Sequence, residues 1–395
     1  MRNMKGVSNS LQNHVCGVGS QRILLLCTDS VCSLRTGAQA GGGLDSSAFV
    51  TCFTKMTKVS KSVRLTSSEE RNEDIWAVLK EANVTVNSDC FHVESLNGST
   101  NSMFSVQIDE EKSVTWCLAR SAKKIIFRIF GDQSEILIDR NREVENMKLL
   151  ASQGLGANIM AEFENGIAYE YIEGRTISQN DLFSSEIWPL IARKLAKFHK
   201  IPINNNSQNI LWSRIQSWID LASEFDDYKF GVFKNKKELQ EELRFLKNML
   251  EDCHSPLVFC HLDLNIPNIL YNGEDVHFID VEYAGPTYAA FDIANHFVQF
   301  VGIEDDPLDW ARWYPDKEYQ LNWIRTYLEA MASPSSEADV EALFLLVQKF
   351  VLCSHLQWGA WNIFQASVSS LELDFGGWAS QCFKEYARMR AIVLK

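Results

Sequence analysis

The chain has 395 residues, of which 46% are hydrophobic and 23% charged, a composition typical of a globular protein with room for two lobes or two ordinary domains. Its formal net charge of −13 argues against a protein that binds nucleic acid through its phosphates. No segment approaches the roughly 18 apolar residues that a membrane helix needs. The ten cysteines show neither C-x-x-C pairs nor zinc-site spacing, which indicates reduced thiols in a cytoplasmic protein.

The first sixty residues differ in composition from the rest. Up to Leu65 the chain contains two acidic residues, Asp29 and Asp45, against eight lysines and arginines, and it is rich in Ser, Gly, Asn and Thr. One interpretation is a disordered extension over residues 1–60, because such a segment has no core to join. The other is a transit peptide, since a basic, serine-rich and acid-poor composition is its signature. Met56 could also be the functional start.

From about Ser67 the pattern becomes globular. Ser67 and the acidic residues after it predict the start of a helix. Phe91–Leu96 and Met103–Ile108 alternate like the two strands of a hairpin, and Asn97–Asn101 supplies a turn of small polar residues between them. Ile125–Phe130 is a third predicted strand.

That third strand is apolar except for Arg128. A buried cation without a partner is costly, so Arg128 either faces solvent or is paired. A helix is predicted over Arg140–Gln153, and Gly154 is a plausible cap at its end. Ala168–Gly174 is predicted as a strand followed by a linker.

The second half of the chain is predicted to be mainly helical. Apolar residues recur at helical spacing in Ile187–His199 and Lys236–Leu250, and again from about Tyr319 onwards. Two short strands, Leu257–Cys260 and Val276–Val281, interrupt this pattern. A β-rich part followed by a helical part, without an obvious repeat, predicts an α+β protein of two lobes.

The most informative pattern is His-x-Asp-x-x-x-x-Asn at His261–Asn268, followed by an apolar-apolar-Asp strand that ends in Asp280. A hydroxyl group that attacks a phosphoryl group needs a carboxylate to orient it and accept its proton, and magnesium prefers hard oxygen ligands. Asp263 and Asn268 would place base and metal ligand on one loop, and Asp280 would complete the metal site. The alternatives are a turn acid at Asp263 and a strand-end cap at Asp280.

The chain resembles the choline and ethanolamine kinases in several segments, and the ethanolamine branch in particular. The resemblance runs from about Val93 to Tyr386 and is carried by Arg128–Arg140, Tyr169–Gly174, Phe278–Tyr283, Phe291–Phe297 and Ser354–Trp361. It implies a protein-kinase-like two-lobed fold. Residues 67–173 would form a β-rich, nucleotide-binding N-lobe, and residues 174–395 a helical C-lobe for catalysis and amino-alcohol binding.

The resemblance also implies roles for individual residues. Asp263 would be the catalytic base, Asn268 and Asp280 would bind Mg²⁺, and Glu282 would be a second metal-site carboxylate, whereas His261 is expected to be structural. ATP would be held by backbone groups of the loop after the first hairpin strand, by an arginine paired with a helix glutamate, and by the backbone of the linker. These ATP-binding residues are Gly98, Ser99, Asn101, Arg128, Glu143, Glu170 and Ile172.

Trp358 and Trp361, three residues apart on a predicted helix, share one face. Such a pair is usually core packing, but the resemblance places it around the substrate head group, where aromatic faces can hold a cation. The full set expected at the amino-alcohol is Asp263, Tyr283, Gln299, Trp358, Trp361 and Trp378.

The sequence departs from the family at two positions. Gln299 stands where the family usually has Glu, which removes a negative charge near the substrate cation. Leu373 stands where the choline enzymes have an aromatic residue, and Phe300 agrees with ethanolamine kinases rather than choline kinases. A thinner aromatic cage suits a primary ammonium group, which can donate hydrogen bonds, better than a trimethylammonium group.

The resemblance therefore implies phosphorylation of ethanolamine to phosphoethanolamine, the first step of phosphatidylethanolamine synthesis by the CDP-ethanolamine route, with ATP and Mg²⁺. The alternatives are a choline or dual-specificity kinase and, in a different class, an inactive kinase-fold binding module. A protein kinase is disfavoured because the sequence lacks Asp-Phe-Gly and Ala-Pro-Glu elements. The expected partner is a small amino-alcohol, and family members are often dimers, so a homodimer is also expected.

Overall fold

The chain divides into two units, Met1–Phe53 and Thr54–Lys395. In the first unit, strands β1 (Leu26–Thr28) and β2 (Val31–Ser33) pair as an antiparallel hairpin. The structure, a computed structural model, describes those two strands and residues 56–82, 91–96, 101–108, 124–131, 139–204, 206–227, 229–302, 308–369 and 373–395.

The second unit begins with an N-lobe built on a six-stranded sheet. Its strand order is β3-β7-β8-β6-β5-β4, and every neighbouring pair is antiparallel except β3 and β7, which are parallel. Two helices, α1 and α2, complete the lobe. The bounds are β3 Thr57–Val59, α1 Ser68–Glu81, β4 Phe91–Leu96, β5 Asn101–Ile108, β6 Lys124–Phe130, α2 Arg140–Ser152, β7 Ile159–Phe163 and β8 Gly166–Glu170.

Local sequence signals define the ends of both helices. Ser67 caps α1, its side chain accepting a hydrogen bond from the Glu70 backbone N–H at 3.1 Å. After α2, Gly154 adopts a φ of 67°, and the Leu155 N–H returns to the Leu150 carbonyl at 2.9 Å. This left-handed turn ends the helix at the glycine that the sequence predicts.

The N-lobe begins earlier than the sequence predicts. Thr57–Val59 lies within the predicted extension, residues 1–60, yet it forms β3 and pairs with β7. Val59 and Val63 are buried against the sheet and α1, which explains why this segment is ordered with the lobe. Apart from β1 and β2, the residues before Met56 lie outside the described part of the chain.

The C-lobe is mainly helical. Its strands form two small sheets, β10 with β13 and β9 with the β11–β12 hairpin. The strands are β9 Arg175–Thr176, β10 Leu257–Cys260, β11 Ile269–Tyr271, β12 Val276–Phe278 and β13 Gly285–Tyr288, and the helices are α3 Trp188–His199, α4 Leu211–Leu221, α5 Lys236–Met249, α6 Ala289–Val298, α7 Trp310–Trp313, α8 Lys317–Met331, α9 Glu337–Val368 and α10 Phe375–Val393, with 3₁₀ turns at Asn180–Phe183 and Ile266–Asn268.

Helix α6 is the centre of this lobe, because all ten of its residues are buried. It packs against the 32-residue helix α9 on one side and the β10–β13 pair on the other. Buried helices are normally apolar, yet α6 carries Asp292, Asn295 and His296 inside the lobe. Their hydrogen bonds reach the loop after β10, so the helix positions the functional loop.

The predicted α+β, two-lobed architecture is confirmed. One strand is shorter than expected: β12 ends at Phe278 rather than Val281, because Asp280 has a left-handed φ of 60° that a strand cannot continue. Across the described ranges, no helix is both long and apolar enough to traverse a bilayer.

Candidate active site

The loop after β10 folds back on itself and brings Asp263 and Asn268 together. Asn265 caps the 3₁₀ turn by accepting a hydrogen bond from the Asn268 N–H at 3.2 Å. The Asn268 side-chain amide then donates to the Asp263 carbonyl at 2.9 Å and to Asp263 Oδ2 at 3.1 Å. Both residues are buried, so a loop spacing of five residues becomes a fixed carboxylate–amide pair.

Asp292 of α6 holds this loop in an unusual backbone conformation. Leu262 has a φ of 67°, which is costly for a residue with a branched side chain. Asp292 Oδ1 accepts from the Leu262 N–H and Oδ2 from the His261 N–H, each at 2.8 Å, and Oδ2 also accepts from His199 Nε2 at 3.0 Å. Burial acts to raise the pKa of Asp292, but these hydrogen bonds lower it below its usual value, so the carboxylate stays ionised.

The β11–β12 hairpin places Asp280 beside this loop. The Ile279 N–H donates to the Asn268 carbonyl at 3.0 Å, and His261 Nε2 bonds the Ile279 carbonyl at 3.0 Å. His261 is fully buried and has a structural role here, as the sequence predicts. Asp280 follows directly with its left-handed backbone, and 40% of its side chain is exposed. This partly exposed carboxylate lies at the boundary between the lobes.

Arg128 is paired, and the predicted contact with Glu143 is present. Arg128 Nη1 lies 2.5 Å from Glu143 Oε1, and Nη2 lies 3.2 Å from Glu282 Oε2 across the lobe boundary. Asp280 Oδ1 is 3.9 Å from Nη1, and Arg140 binds the other Glu143 oxygen at 2.9 Å. Burial disfavours the charged guanidinium, but these carboxylates outweigh it and the pKa of Arg128 is raised. The strand cation is therefore one centre of a buried ion network.

A second contact joins the lobes next to this network. Asn146 of α2 is buried, and its side-chain amide donates to the Ala284 carbonyl at 2.9 Å and to the Val281 carbonyl at 3.4 Å. Both acceptors follow Asp280 in the chain. Helix α2 is thus bonded to the segment that carries Asp280 and Glu282.

The acids of this region repel one another. Burial, together with Asp280, raises the pKa of Asp263 to about 7 and that of Glu282 to about 8. Carboxylate oxygens of Glu143, Asp280 and Glu282 lie within 4.8 Å of one another. Clustered hard oxygen donors are what a divalent cation such as Mg²⁺ requires, and a cation would relieve the repulsion. The side chains present therefore fit a magnesium site.

Gln299 lies against Asp263 itself. Its amide nitrogen donates to Asp263 Oδ1 at 2.6 Å, and Asn265 Nδ2 donates to the same oxygen at 3.1 Å. The resemblance implies that Gln299 contacts the substrate cation, but its amide hydrogen is directed to the carboxylate of Asp263.

Aromatic side chains line the region next to Tyr283. The Tyr283 and Trp358 rings are 6.4 Å apart, and Trp358 and Trp361 are 5.7 Å apart, with both tryptophans half-buried. Trp218 of α4 packs edge-on against Tyr283 at 5.6 Å and lies 5.7 Å from Trp358. Tyr283, Trp358 and Trp361, three of the predicted substrate residues, are therefore neighbours. Trp218 packs against the first two of them.

Trp378 joins this group indirectly. Phe375 lies 6.0 Å from Trp361 and 5.5 Å from Trp378, so it connects the two tryptophans. Leu373 is 46% exposed and adds no aromatic face.

The linker after β8 and the loop with Gly98 and Ser99 were expected to contact ATP. Glu170 ends β8, and its carboxylate accepts from the Asn158 amide at 2.7 Å, so its side chain serves the N-lobe. Ile172 has no backbone hydrogen bond to any described residue, which leaves its N–H and C=O available. Gly98 and Ser99 lie outside the described residues, and Asn101 is described only as the first residue of β5.

Several residues at the site were not predicted. Asp292 and Asn295 belong to a segment that carried the resemblance, so the signal was present although no role was assigned. Asn265 is two residues from Asp263, but its contact depends on the fold of the loop. Arg140 likewise ends a segment that carried the resemblance, whereas Trp218 carried no sequence signal, since it is placed by tertiary packing.

Comparison with known proteins agrees with this geometry. The family model described as choline/ethanolamine kinase matches residues 93–387. Ethanolamine kinase 1 of Mus musculus is 38% identical over 282 residues, 67% of this chain and 77% of that protein. Ethanolamine kinase 1 of Homo sapiens is also 38% identical over 282 residues, and the chain spans 62% of its length.

Solved structures agree on the fold. An ethanolamine kinase from Plasmodium vivax superposes with a TM-score of 0.69 at 24% identity, covering 82% of this chain and 91% of the other. The family match includes the Asp263 loop, the Asp280 hairpin and α6. This chain therefore belongs to the choline/ethanolamine kinase family and has its protein-kinase-like two-lobed fold.

Proposed function

We propose that this chain transfers the γ-phosphoryl group of ATP to the hydroxyl group of ethanolamine, giving phosphoethanolamine and ADP. The observation that carries the proposal is the convergence of Asp263, Asn268 and Asp280 from one loop and the next hairpin. The similarity to proteins named ethanolamine kinase supports ethanolamine as the acceptor.

Asp263 acts as the base. It orients the substrate hydroxyl and accepts its proton while the hydroxyl oxygen forms a bond to the γ-phosphorus and the bond to the ADP oxygen breaks. Its pKa of about 7 suits this role, because a base with a pKa near the working pH is both deprotonated and able to take a proton. The Asn268 amide holds the carboxylate directly, and the hydrogen bonds of Asp292 hold the backbone of the loop that carries it.

Asn268, Asp280 and Glu282 would hold Mg²⁺, which neutralises phosphate charge when bound. Asn268 directs its Nδ2 hydrogens to Asp263, so its Oδ1 faces away as the available oxygen. Arg128, fixed by Glu143, would face the phosphates from the N-lobe. The backbone of Ile172, next to Glu170 in the linker, would meet the adenine, and the loop with Gly98, Ser99 and Asn101 would cover the phosphates.

Tyr283, Trp358 and Trp361 would form the pocket for the ammonium group, with Trp378 at its edge. Aromatic faces stabilise a cation through their negative quadrupole. Leu373 supplies no aromatic face where the choline enzymes have one, and a thinner aromatic cage favours the primary ammonium of ethanolamine over choline.

The test is ADP release with Mg-ATP and a panel of alcohols, with ethanolamine and choline compared directly. We expect a higher kcat/KM for ethanolamine, and we expect Asp263→Ala to lower kcat by about 10²–10⁴-fold with little change in the KM for ATP. The exposed Asp252 provides a control, since Asp252→Asn should behave like wild type.

Three outcomes would contradict parts of the proposal. A clear advantage for choline would overturn the acceptor, and an unchanged kcat in Asp263→Ala would remove that residue from the mechanism. Failure of wild type to phosphorylate any alcohol, while still binding ATP, would indicate an inactive binding module.

Location and assembly belong to the same proposal. Four cysteines of the described ranges carry free thiols, Cys253, Cys260, Cys353 and Cys382, which supports a reducing compartment such as the cytoplasm. A homodimer is proposed from the resemblance alone, and sedimentation equilibrium over a range of protein concentrations would test it.

A further inference from the structure

A chain of side-chain hydrogen bonds connects the aromatic pocket to Asp263. Trp358 Nε1 donates to Asn295 Oδ1 at 2.8 Å, and Ser354 Oγ donates to the same oxygen at 2.8 Å. Asn295 Nδ2 donates to Gln299 Oε1 at 3.1 Å, and Gln299 Nε2 donates to Asp263 Oδ1 at 2.6 Å. Two amides of α6 and its C-cap thus lie between a pocket tryptophan and the proposed base.

The direction of every bond in this chain is fixed by chemistry. An indole N–H can only donate, so the Asn295 atom facing Trp358 must be its oxygen. The Asn295 nitrogen therefore faces the other way, where it also donates to the Leu262 carbonyl at 3.1 Å. Gln299 must then accept through Oε1, which leaves its nitrogen as the group that faces Asp263. Trp358 therefore determines, through Asn295, that Gln299 is a donor to Asp263.

The Asp263 carboxylate is nearly saturated by these contacts. Each carboxylate oxygen accepts about two hydrogen bonds. Oδ1 already accepts from Gln299 at 2.6 Å and from Asn265 at 3.1 Å, whereas Oδ2 accepts, among the described residues, only from Asn268 at 3.1 Å. One acceptor position remains, and it is on Oδ2. A carboxylate held at both oxygens cannot rotate freely about its Cβ–Cγ bond.

We propose that Gln299 is a positioning residue for Asp263: it occupies Oδ1 so that the substrate hydroxyl is received by Oδ2, and its own orientation is set by Trp358 through Asn295. The inference rests on the proposed function and deepens it. It differs from the expectation that residue 299 serves the substrate cation, because a donor amide directed at a carboxylate neither contributes charge nor accepts from an ammonium group.

The experiment separates orientation of the base from binding of the amine by using a reaction without amine. Hydrolysis of Mg-ATP, with water in place of the alcohol, would need Asp263 but not the amine pocket, and its loss in Asp263→Ala would show that the assay reports on the base. We expect Gln299→Leu to lower both this hydrolysis and kcat for ethanolamine by about 10- to 100-fold, the range expected for loss of a hydrogen bond to a charged group. KM for ATP should change less than about threefold.

Gln299→Glu isolates the last bond of this hydrogen-bond relay, from Gln299 to Asp263. A glutamate can still accept from Asn295, but it cannot donate to Asp263 and places two acceptors face to face. Although the family usually has Glu here, in this chain the amide is one of the donors that hold Asp263, so we expect amine-free hydrolysis to fall as it does in Gln299→Leu. The matched control is Gln216→Leu on α4, where the glutamine bonds only the exposed Asp220, and it should leave both rates unchanged.

Trp358→Phe tests the far end of the relay. It keeps an aromatic face but removes the N–H that orients Asn295. It should therefore lower the rate of amine-free hydrolysis, an effect that loss of amine binding could not produce. The double variant with Gln299→Leu should be no slower than Gln299→Leu alone, because both substitutions release the same carboxylate.

The outcomes are distinguishable. If Gln299→Leu and Gln299→Glu hydrolyse ATP at the wild-type rate and change only the KM for ethanolamine, residue 299 binds the amine and the inference is overturned. Additive effects of the Gln299 and Trp358 substitutions would overturn the relay. Unfolding curves that match wild type ensure that a loss of rate is not a loss of fold. If wild type phosphorylates no amine, the proposed function fails instead.

Discussion

Replacing Asp292 by asparagine should be one of the most damaging single changes of an acid to its amide in the C-lobe. Its two oxygens accept from the N–H groups of His261 and Leu262 at 2.8 Å and from His199 Nε2 at 3.0 Å. Asparagine has one acceptor oxygen, so its NH₂ must face at least one buried donor. Hydrogen bonds to a charged group contribute about 1.5–3 kcal/mol each; at least one is reversed and the others lose their charge assistance, which predicts a loss of about 3 kcal/mol.

Urea unfolding followed by tryptophan fluorescence measures this loss, and kcat measures the second effect. Leu262 would be released from its left-handed conformation, and Asp263 beside it would move, so kcat should fall even in the fraction that remains folded. Asp252→Asn is the control, since Asp252 is exposed. An Asp292→Asn protein within about 1 kcal/mol of wild type, with unchanged kcat, would refute the view that this carboxylate holds the loop.

Three further changes have definite expected results. Glu143→Gln breaks the 2.5 Å pair with Arg128, and since Glu282 remains as a partner we expect a loss of stability of about 2 kcal/mol and a higher KM for ATP. Burial lowers the pKa of His296 to about 4, below its unfolded value of 6.5, so the stability present above pH 6.5 is lost as the pH falls. His296→Gln removes this titration. Between about pH 7 and pH 5 the wild type should therefore lose about 2 kcal/mol more stability than His296→Gln. Gly166→Ala would drive a methyl group into the Arg128 carbonyl and cost more than about 2 kcal/mol.

Each has its own measurement and contrary result. Equilibrium unfolding and initial rates at several ATP concentrations test Glu143→Gln, and wild-type values in both would show that Glu282 alone neutralises Arg128. Urea midpoints at the two pH values test the role of His296. Equal losses of stability in wild type and His296→Gln would assign the acid sensitivity to other groups. For Gly166 the control is Gly376→Ala, whose nearest neighbour would be an ordinary 3.6 Å away, and equal melting temperatures would contradict the predicted collision.

The parts of this protein that could be predicted from sequence are those with a local cause. The alternation in Phe91–Leu96 and the cap signals around α2 act within a few residues and gave correct elements. For Arg128 the local argument left two alternatives, exposure to solvent or pairing, and the resemblance supplied Glu143 of the following helix as the partner.

The parts that could not be predicted depend on segments distant in the chain. Strand β3 pairs with β7 about a hundred residues away, and no turn chemistry marks that parallel contact. Gln299 was correctly selected, but its partner could not be inferred, because the approach of α6 to the Asp263 loop arises from packing against α9. Trp218 is one of eleven tryptophans, and nothing local distinguishes it from a core residue.

The Asn146 contact has a consequence for how the protein would open. Helix α2 is fastened to residues 281–284 by this amide and, beside it, by the guanidinium that bridges Glu143 and Glu282. Pulling the two halves straight apart would break the Arg128–Glu282 ion pair and the Asn146 hydrogen bonds together, whereas rotation about this line would keep both. The edge of the cleft at α2 should therefore behave as a pivot, and the admission and departure of ligands should rely on rotation about it rather than on separation.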